Sequence, residues 1–524
     1  MKKIFIAILA AASMQIVTSC DHLDLDLAPE DYFSSGSFWK NESQVNGAML
    51  GIHNLVRGQQ QTFWGLGELR GGTLRTGTSF TGTASLNSPS VISQDIRESA
   101  PGYSSWAGLY STLFQINNFI YQVEQATFLS EQKKGYYLGQ AYGLRAFYYF
   151  YLYRTYGRVP IVTEPKAAIK TPSSAEEGYT PRSQTEKETL DFIKADIEKS
   201  IQNFNGDYTI QSQKGQWSLA ATQMLKTEVY LWSAKVLIDG QQPQSVQADL
   251  QTAKQAVETV IPRFTLLEDF ARVFSSASVP ASKGNSEIIF TIRYQQGEAT
   301  NFFNNFLYAQ SDDISGYVDD AGNPIPSDPL QVASSGSVIR YEYKIDLYDL
   351  YDKEDKRANA TFLNFNKGSV RAVVMRKFLG TIVDGVRNYS DDYPIYRLAE
   401  AYLLLAEIKN KLGEDPTEEI MAVRRRAMGT AAPQFVRSDF EANELAIFYE
   451  RTKEFVSEGK RWFDLRRMQD ANGKPLVFRV DLPLVGVLED VEGQRHKLLW
   501  PIDLGTMSAD PTLQGDQNPG YSGT

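Results

Sequence analysis

Apolar residues recur every three or four positions through much of the chain, and that period predicts amphipathic helices. The pattern covers 104–127 (SSWAGLYSTLFQINNFIYQVEQAT) and 131–156, where QAYGLRAFYYFYLYRTYG is aromatic on more than one face and so expected to be buried between neighbours. It continues at 185–203, with Leu190, Ile193 and Ile197 on one face, at 218–237 and at 248–261. Near the C-terminus, 396–413 places Leu398, Tyr402, Leu405, Ile408 and Leu412 on one stripe, and Gly413 reads as its C-cap glycine. Residues 418–428 and 443–468 supply two more helices. Helices in succession, with Ala and Gly where backbones would approach, predict hairpins of the tetratricopeptide type, although no 34-residue repeat is legible. Between them, 61–103 and 277–393 are rich in Gly, Ser, Thr, Asn and Pro. They hold only short strand-like runs, EIIFTIRY (287–294) and RAVVMRKF (371–378). The expected fold is therefore mainly α, a helical-hairpin scaffold with long irregular loops and a few short strands. Loops this long in a compact domain usually carry function.

The N-terminus follows a different rule. Lys2 and Lys3 precede the apolar run IFIAILAAA (4–12), and small residues then lead to VTSC, ending at Cys20. This is the order of a secretory signal, and its apolar run is too short to span a bilayer. Cys20 is the only cysteine in 524 residues, so it can neither close an internal disulfide nor complete a two-cysteine metal site. Residues 1–19 read as a lipoprotein signal peptide and Cys20 as the lipidated residue. Residues 20–40, with Asp21, Asp24 and Asp26, read as a tether, and 41–524 as the body. Two acyl chains suffice for stable anchoring where one is marginal.

Lys and Arg total 53 against 63 Asp and Glu, a net charge of −10, which argues against a nucleic-acid binder. The three histidines, His22, His53 and His496, are far apart, and there is no H-E-x-x-H, no G-x-S-x-G and no P-loop. GLGELRG (65–71) approaches a dinucleotide fingerprint, but Arg70 stands where its third glycine belongs. SDDIS (311–315) is acidic without the spacing of a calcium loop. No cofactor, no metal and no enzymatic activity is expected. A glycosidase, whose two carboxyls sequence spacing cannot reveal, stays open as an alternative.

Several segments together resemble the SusD-like (RagB/SusD) family of outer-membrane glycan-binding lipoproteins. GLRAFYYFYLYRTYGRVPIV (143–162) resembles the family's R-A-F-Y-Y-F and Y-G-x-V-P helix, and YPIYRLAEAYLLLAEIKNKLG (393–413) its P-I-x-R-L-A-E helix. VRRRAMG (423–429) resembles the turn that follows, and ERTKEFVSEGKRWFDLRR (450–467) the E-R-x-x-E-F-x-x-E-G-x-R-W-x-D-L-R-R segment. LLWPIDLGTMSADPTLQGDQNPGY (498–521) resembles the closing motif, with SADP for the usual N-P and Gly-Asp inserted before Gln517. The acids and bases of 450–467 stand three and four apart, a spacing that serves helix ion pairs, so these motifs read as scaffold rather than catalysis. The acidic start after Cys20 resembles the surface-export signals of some Gram-negative lipoproteins; a solvated acidic tether would look the same.

The resemblance implies a glycan ligand, an aromatic platform on loops, a location on the outer membrane facing outward, and a TonB-dependent SusC-like transporter as partner. An aromatic in a Gly/Ser-rich loop is then of more interest than one in a helix stripe, because a pyranose ring can lie on its face while polar side chains pair with the hydroxyls. Two regions supply candidates. The first gives Trp64, Arg70, Arg75, Phe80, Tyr103 and Trp106; the second gives Tyr294, Phe302, Phe303, Asn305 and Tyr308. Core packing competes with ligand contact for every one of the aromatics. Trp64 leads the set, and Trp64→Ala is expected to abolish glycan binding with the melting curve unchanged. A peptide- or glycoprotein-binding helical-repeat receptor is the other alternative.

Overall fold

In the computed structural model the described residues are 38–521, apart from 83, 103–105, 170–175, 211–213, 275–282, 306–315, 327, 333–338 and 491–492. Cys20 and the signal segment lie outside them. Chain order begins with α1 (Glu42–Gly58) and α2 (Gln60–Glu68), then α3 (Ala107–Gln125), α4 (Glu131–Tyr156), α5 (Glu186–Phe204), α6 (Leu219–Lys235) and α7 (Val246–Val260). Strand β1 (Ile288–Ile292) comes next. The hairpins β2 (Phe362–Lys367) with β3 (Val370–Met375) and β4 (Thr381–Val383) with β5 (Val386–Asn388) follow, and then β6 (Tyr393–Arg397). Helices α8 (Leu398–Leu412), α9 (Thr417–Met428), α10 (Phe440–Glu454) and α11 (Arg461–Arg467) complete the scaffold. The predicted helices at 131–156, 185–203, 218–237 and 248–261 match α4 to α7 within two residues, and Gly413 caps α8 at φ +77°.

Helix α4 packs along α5, and α6 along α7. Glycines make the first contact close. A Cβ on Gly139 would lie 2.8 Å from the Phe204 ring of α5; one on Gly143 would lie 2.1 Å from the indole of Trp217, just before α6. Arg145 then pins three helices. Its guanidinium grips Asp196 of α5 through two hydrogen bonds, 2.6 and 2.9 Å, and donates to Asn117 of α3 at 3.0 Å. Tyr148, Tyr149 and Phe150 are all fully buried, as the multi-faced aromatic pattern predicts.

Two expectations need correction. The run 443–468 is not one helix. It breaks between α10 and α11, where Ser457 and Gly459 hold φ of +64° and +69°. Residues 393–397 are not helical either. Pro394 disfavours a helical residue before it, and YPIYR pairs instead as β6 antiparallel to β1. That pairing places Arg397, the N-cap of α8, in the interior.

The acids of 450–467 are scaffold, but they pair across the fold rather than along one helix. Glu454 accepts from Arg357 at 2.9 Å, from Arg397 at 2.6 Å and from Arg426. Glu450 pairs with Arg357 at 2.7 Å and Arg424 at 2.8 Å; Glu458 pairs with Arg397 at 2.8 Å and Lys377 at 2.6 Å. Within this stretch Asp464 and Arg467 do form the expected i,i+3 pair at 2.8 Å. Arg461 instead donates to the Gly71 carbonyl and the Thr452 hydroxyl, both at 2.6 Å. Most of the apolar interior, from Val45 to Leu513, is a single connected cluster.

Candidate functional site

The two candidate regions do meet in space, but mostly inside the protein. FWGLGELRG reads as a glycine-rich loop and folds instead as the end of α2. Gly67 is the reason: a Cβ there would lie 1.7 Å from the Gly459 carbonyl oxygen, so only glycine lets α2 rest on the turn between α10 and α11. Glu68 locks the same contact. Its carboxylate accepts the Tyr343 hydroxyl at 2.9 Å and the backbone N–H groups of Ser457 and Gly459 at 3.2 and 3.3 Å. Burial raises its pKa to about 7 against the pull of those donors.

Trp64 is therefore a core residue. It is fully buried, donates its indole N–H to Ser457 Oγ at 3.0 Å, and packs edge-on against Tyr341 at 5.0 Å and against Phe302 at 5.1 Å. Phe303 is equally buried and stacks on Phe378 at 4.8 Å. Arg70 is fully buried too, lying 3.9 Å over the Trp462 ring and donating to Gln94 at 2.8 Å. Burial lowers its pKa to about 9. Trp106 packs edge-on against Tyr156 at 5.2 Å, and Tyr294 is buried with its hydroxyl on Gln60. These five side chains are removed from any surface on which a sugar could stack. Burial likewise overturns the expectation that Trp64→Ala leaves the melting curve unchanged. Tyr103 and Tyr308 lie outside the described residues, as does the side chain of Asn305.

Arg75, Phe80 and Phe302 keep partial exposure. The first two sit on a face built by loops. Backbone hydrogen bonds from Arg75 to Glu342 and from Asn87 to Arg340, both 2.8 Å, lay residues 74–87 along 340–343. Val318 pairs with Asn366, which adds the 317–324 loop to the edge of β2. Phe80 then meets the edges of Phe365 at 5.3 Å and Tyr317 at 5.7 Å. Its N–H donates to Glu342 at 2.8 Å, and Arg75 pairs with the same carboxylate. Burial pushes the Glu342 carboxyl up, while these donors pull it down.

On the other face of β2 stands a polar cluster that the sequence reading missed. Asn364 donates to the Tyr348 hydroxyl at 3.1 Å and to Asp320, and Asn366 donates to Asp320 at 3.0 Å. Arg371 grips Asp349 through 3.0 and 3.1 Å bonds and approaches Asp320 at 3.7 Å. Arg371, Asp320 and Asp349 keep 42–46 % of their side-chain surface exposed. Side chains of a strand alternate between its faces: Phe365 and Lys367 turn toward Tyr317, whereas Phe362, Asn364 and Asn366 share the other face, where Tyr348 packs on Phe362. The acidic partners come from loops whose placement no local pattern fixes. Among the described residues no group of three or more His, Cys, Asp and Glu could hold a metal, and no helix is long and apolar enough to cross a membrane.

This combination of helical hairpins, buried motif acids and a loop-built face is that of a known family. The family described as "SusD family" matches residues 356–521, and the one described as "Starch-binding associating with outer membrane" matches residues 31–231. A solved SusD superfamily protein from Bacteroides fragilis is 37% identical, with 93% of this chain and 100% of that chain covered at a TM-score of 0.83. A SusD-like protein of Formosa agariphila is 25% identical over 99% of both chains. The starch-binding protein SusD of Bacteroides thetaiotaomicron is 24% identical over 89% of this chain and 90% of its own. The chain belongs to the SusD-like family, and its mainly α fold is that family's fold.

Proposed function

We propose that the protein captures glycans at the cell surface and delivers them to a TonB-dependent SusC-like transporter. In this reading Cys20 carries the lipid that holds it on the outer membrane, facing outward. Family membership and a relative named for starch binding support the ligand class. The observation that carries the reading is the exposed cluster of Asp320, Arg371 and Asp349 with Asn364 beside Tyr348, across β2 from Phe80. Planar amide, guanidinium and carboxylate groups pair with sugar hydroxyls, and the phenol ring offers a face for a pyranose. Arg75 adjoins Phe80 through Glu342, Phe302 packs on Trp64, and Tyr103, Asn305 and Tyr308 are carried forward on the family resemblance. Binding, not hydrolysis, is the proposed role.

The protein lacking residues 1–20 is screened on a glycan array, and the best ligand is titrated by calorimetry. Asn364→Ala with Arg371→Ala removes two hydrogen-bonding groups from a solvated surface. It is expected to weaken binding by about tenfold or more while the melting temperature stays put. Full affinity in the double variant would move the site elsewhere. Cleavage products on incubation would make the protein a hydrolase, and binding of a peptide pool without any glycan would make it a peptide receptor.

A further inference from the structure

Arg371 is the cation of the polar cluster on β2 and β3, and two carboxylates hold it. It stands opposite Asn366 in the pairing of the two strands, so it shares a face with Asn364 and Asn366. Asp349 takes its two terminal amino groups side by side, at 3.0 and 3.1 Å, and Asp320 approaches its Nε at 3.7 Å. Asp320 is in turn held by Asn366 at 3.0 Å and by Asn364. Lys367, the other cation of these two strands, turns to the opposite face and lies 5.0 Å over the Tyr317 ring. Asp319 adds a third carboxylate to the loop that carries Asp320. Its own turn holds it through the N–H groups of Ala321 and Asn323, at 2.9 and 2.8 Å.

The charge of the cluster is therefore negative, not positive. A guanidinium already matched by carboxylates has no net attraction left for a further anion, and an anion set beside Asp320 and Asp349 meets like charge. Hydrogen bonding survives the pairing. The guanidinium carries more N–H groups than these contacts use, and carboxylate oxygens accept from hydroxyls. Such a surface suits the uncharged hydroxyls of a sugar and opposes a uronate carboxylate or a sulfate ester.

Resting on the reading of this face as the glycan site, we propose that it selects neutral glycans over anionic ones. Asp320 and Asp349 are the specificity-determining residues, since they cancel the charge of Arg371 and repel an acidic ligand. The net charge of −10 on the whole chain acts in the same direction.

Calorimetry with the purified protein tests this on three matched pairs of probes. They are maltohexaose and its C6-oxidised carboxylate form, laminarihexaose and its sulfate ester, and methyl-esterified and free oligogalacturonate. At about 0.01 M NaCl the neutral member of at least one pair is expected to bind about fivefold or more tightly than its anionic counterpart. At about 1 M NaCl, where the screening length falls to about 3 Å, that preference is expected to shrink toward parity. Asp320→Asn with Asp349→Asn changes two solvated side chains and releases the charge of Arg371. It is expected to erase or invert the preference at low salt. The salt series needs no variant, so it decides alone should the double variant fail to fold. An anionic member bound as tightly as its neutral partner at low salt, a preference unmoved by salt, or one unmoved in the double variant would each overturn the proposal. Two other outcomes would remove the underlying site and this selectivity with it. One is binding that Asn364→Ala with Arg371→Ala leaves intact; the other is no binding of any of these probes.

Discussion

At the scale of single residues, chemistry that looks like ligand binding is used for packing. Trp64 fills the space between α2, the 302–303 turn and the turn after α10, with its N–H satisfied by Ser457. Truncating a buried aromatic of this kind costs about 3–5 kcal/mol. Trp64→Ala is therefore expected to lower the urea midpoint sharply, and a midpoint within error of wild type would contradict its place in the core. Glu68 gives a pH-dependent counterpart. Its folded pKa, near 7, exceeds its ordinary 4.5, so the folded state holds its proton more tightly than the unfolded chain. The Glu68 contribution is full below about pH 4.5 and is lost as pH rises toward 7. Glu68→Gln carries no titrating proton. Its stability relative to wild type is expected to improve between pH 5 and pH 8, by up to ~3 kcal/mol. Parallel stability profiles for the two proteins would show that Glu68 does not titrate there.

At the scale of elements, glycine explains both what was legible and what was not. In α4 the aromatic run announced a buried helix, and its boundaries at Glu131 and Tyr156 were readable from apolar period and flanking residues. In α2 the same residue type misled. Gly65 and Gly67 lower helix propensity and suggest a loop, yet Gly67 is required because the Gly459 carbonyl presses against it. The break at Ser457–Gly459 was hidden for the converse reason: one glycine inside a periodic run rarely ends a helix without a tertiary partner, and that partner, Glu68, lies 389 residues away. The polar face was hidden in the same way. Asn364, Asp320 and Arg371 become neighbours only through the pairing of β2 with β3 and of Val318 with Asn366. Close approach also makes a prediction about α4. Gly143 faces an indole held by its own hydrogen bond to Thr222 at 2.8 Å, so the ring cannot swing away freely. Gly143→Ala should raise helix propensity and still destabilise, by roughly 1–3 kcal/mol from overpacking. A thermal melt that rises instead would mean that the contact of α4 with Trp217 yields.

At the scale of the whole molecule, the family motifs converge on one buried ionic core, and this separates scaffold from ligand surface. Arg357, Arg397, Arg426 and Lys377 are interleaved with Glu287, Glu450, Glu454 and Glu458, joining β1, the start of α8, α9 and α10. Burial alone would push these carboxyls up. For Glu450, Glu454 and Glu458 the surrounding guanidinium and ammonium groups outweigh it and hold them below their ordinary 4.5. A depressed folded pKa means that the stabilisation is present above pH 4.5 and is lost as pH falls through the folded values. Protonating one member also leaves its partners as uncompensated buried cations, so the loss should be steep. In Glu68→Gln, which lacks the loss with rising pH argued for that carboxyl, the urea midpoint is expected to hold between pH 5 and pH 6 and to collapse toward pH 3. Because the pairs are buried, raising NaCl from 0.1 to 1 M, a change that shrinks the screening length from about 10 to 3 Å, should leave the midpoint at pH 7 nearly unmoved. A midpoint that stays level down to pH 3, or that falls strongly with salt at pH 7, would place the stabilising charges on the surface instead.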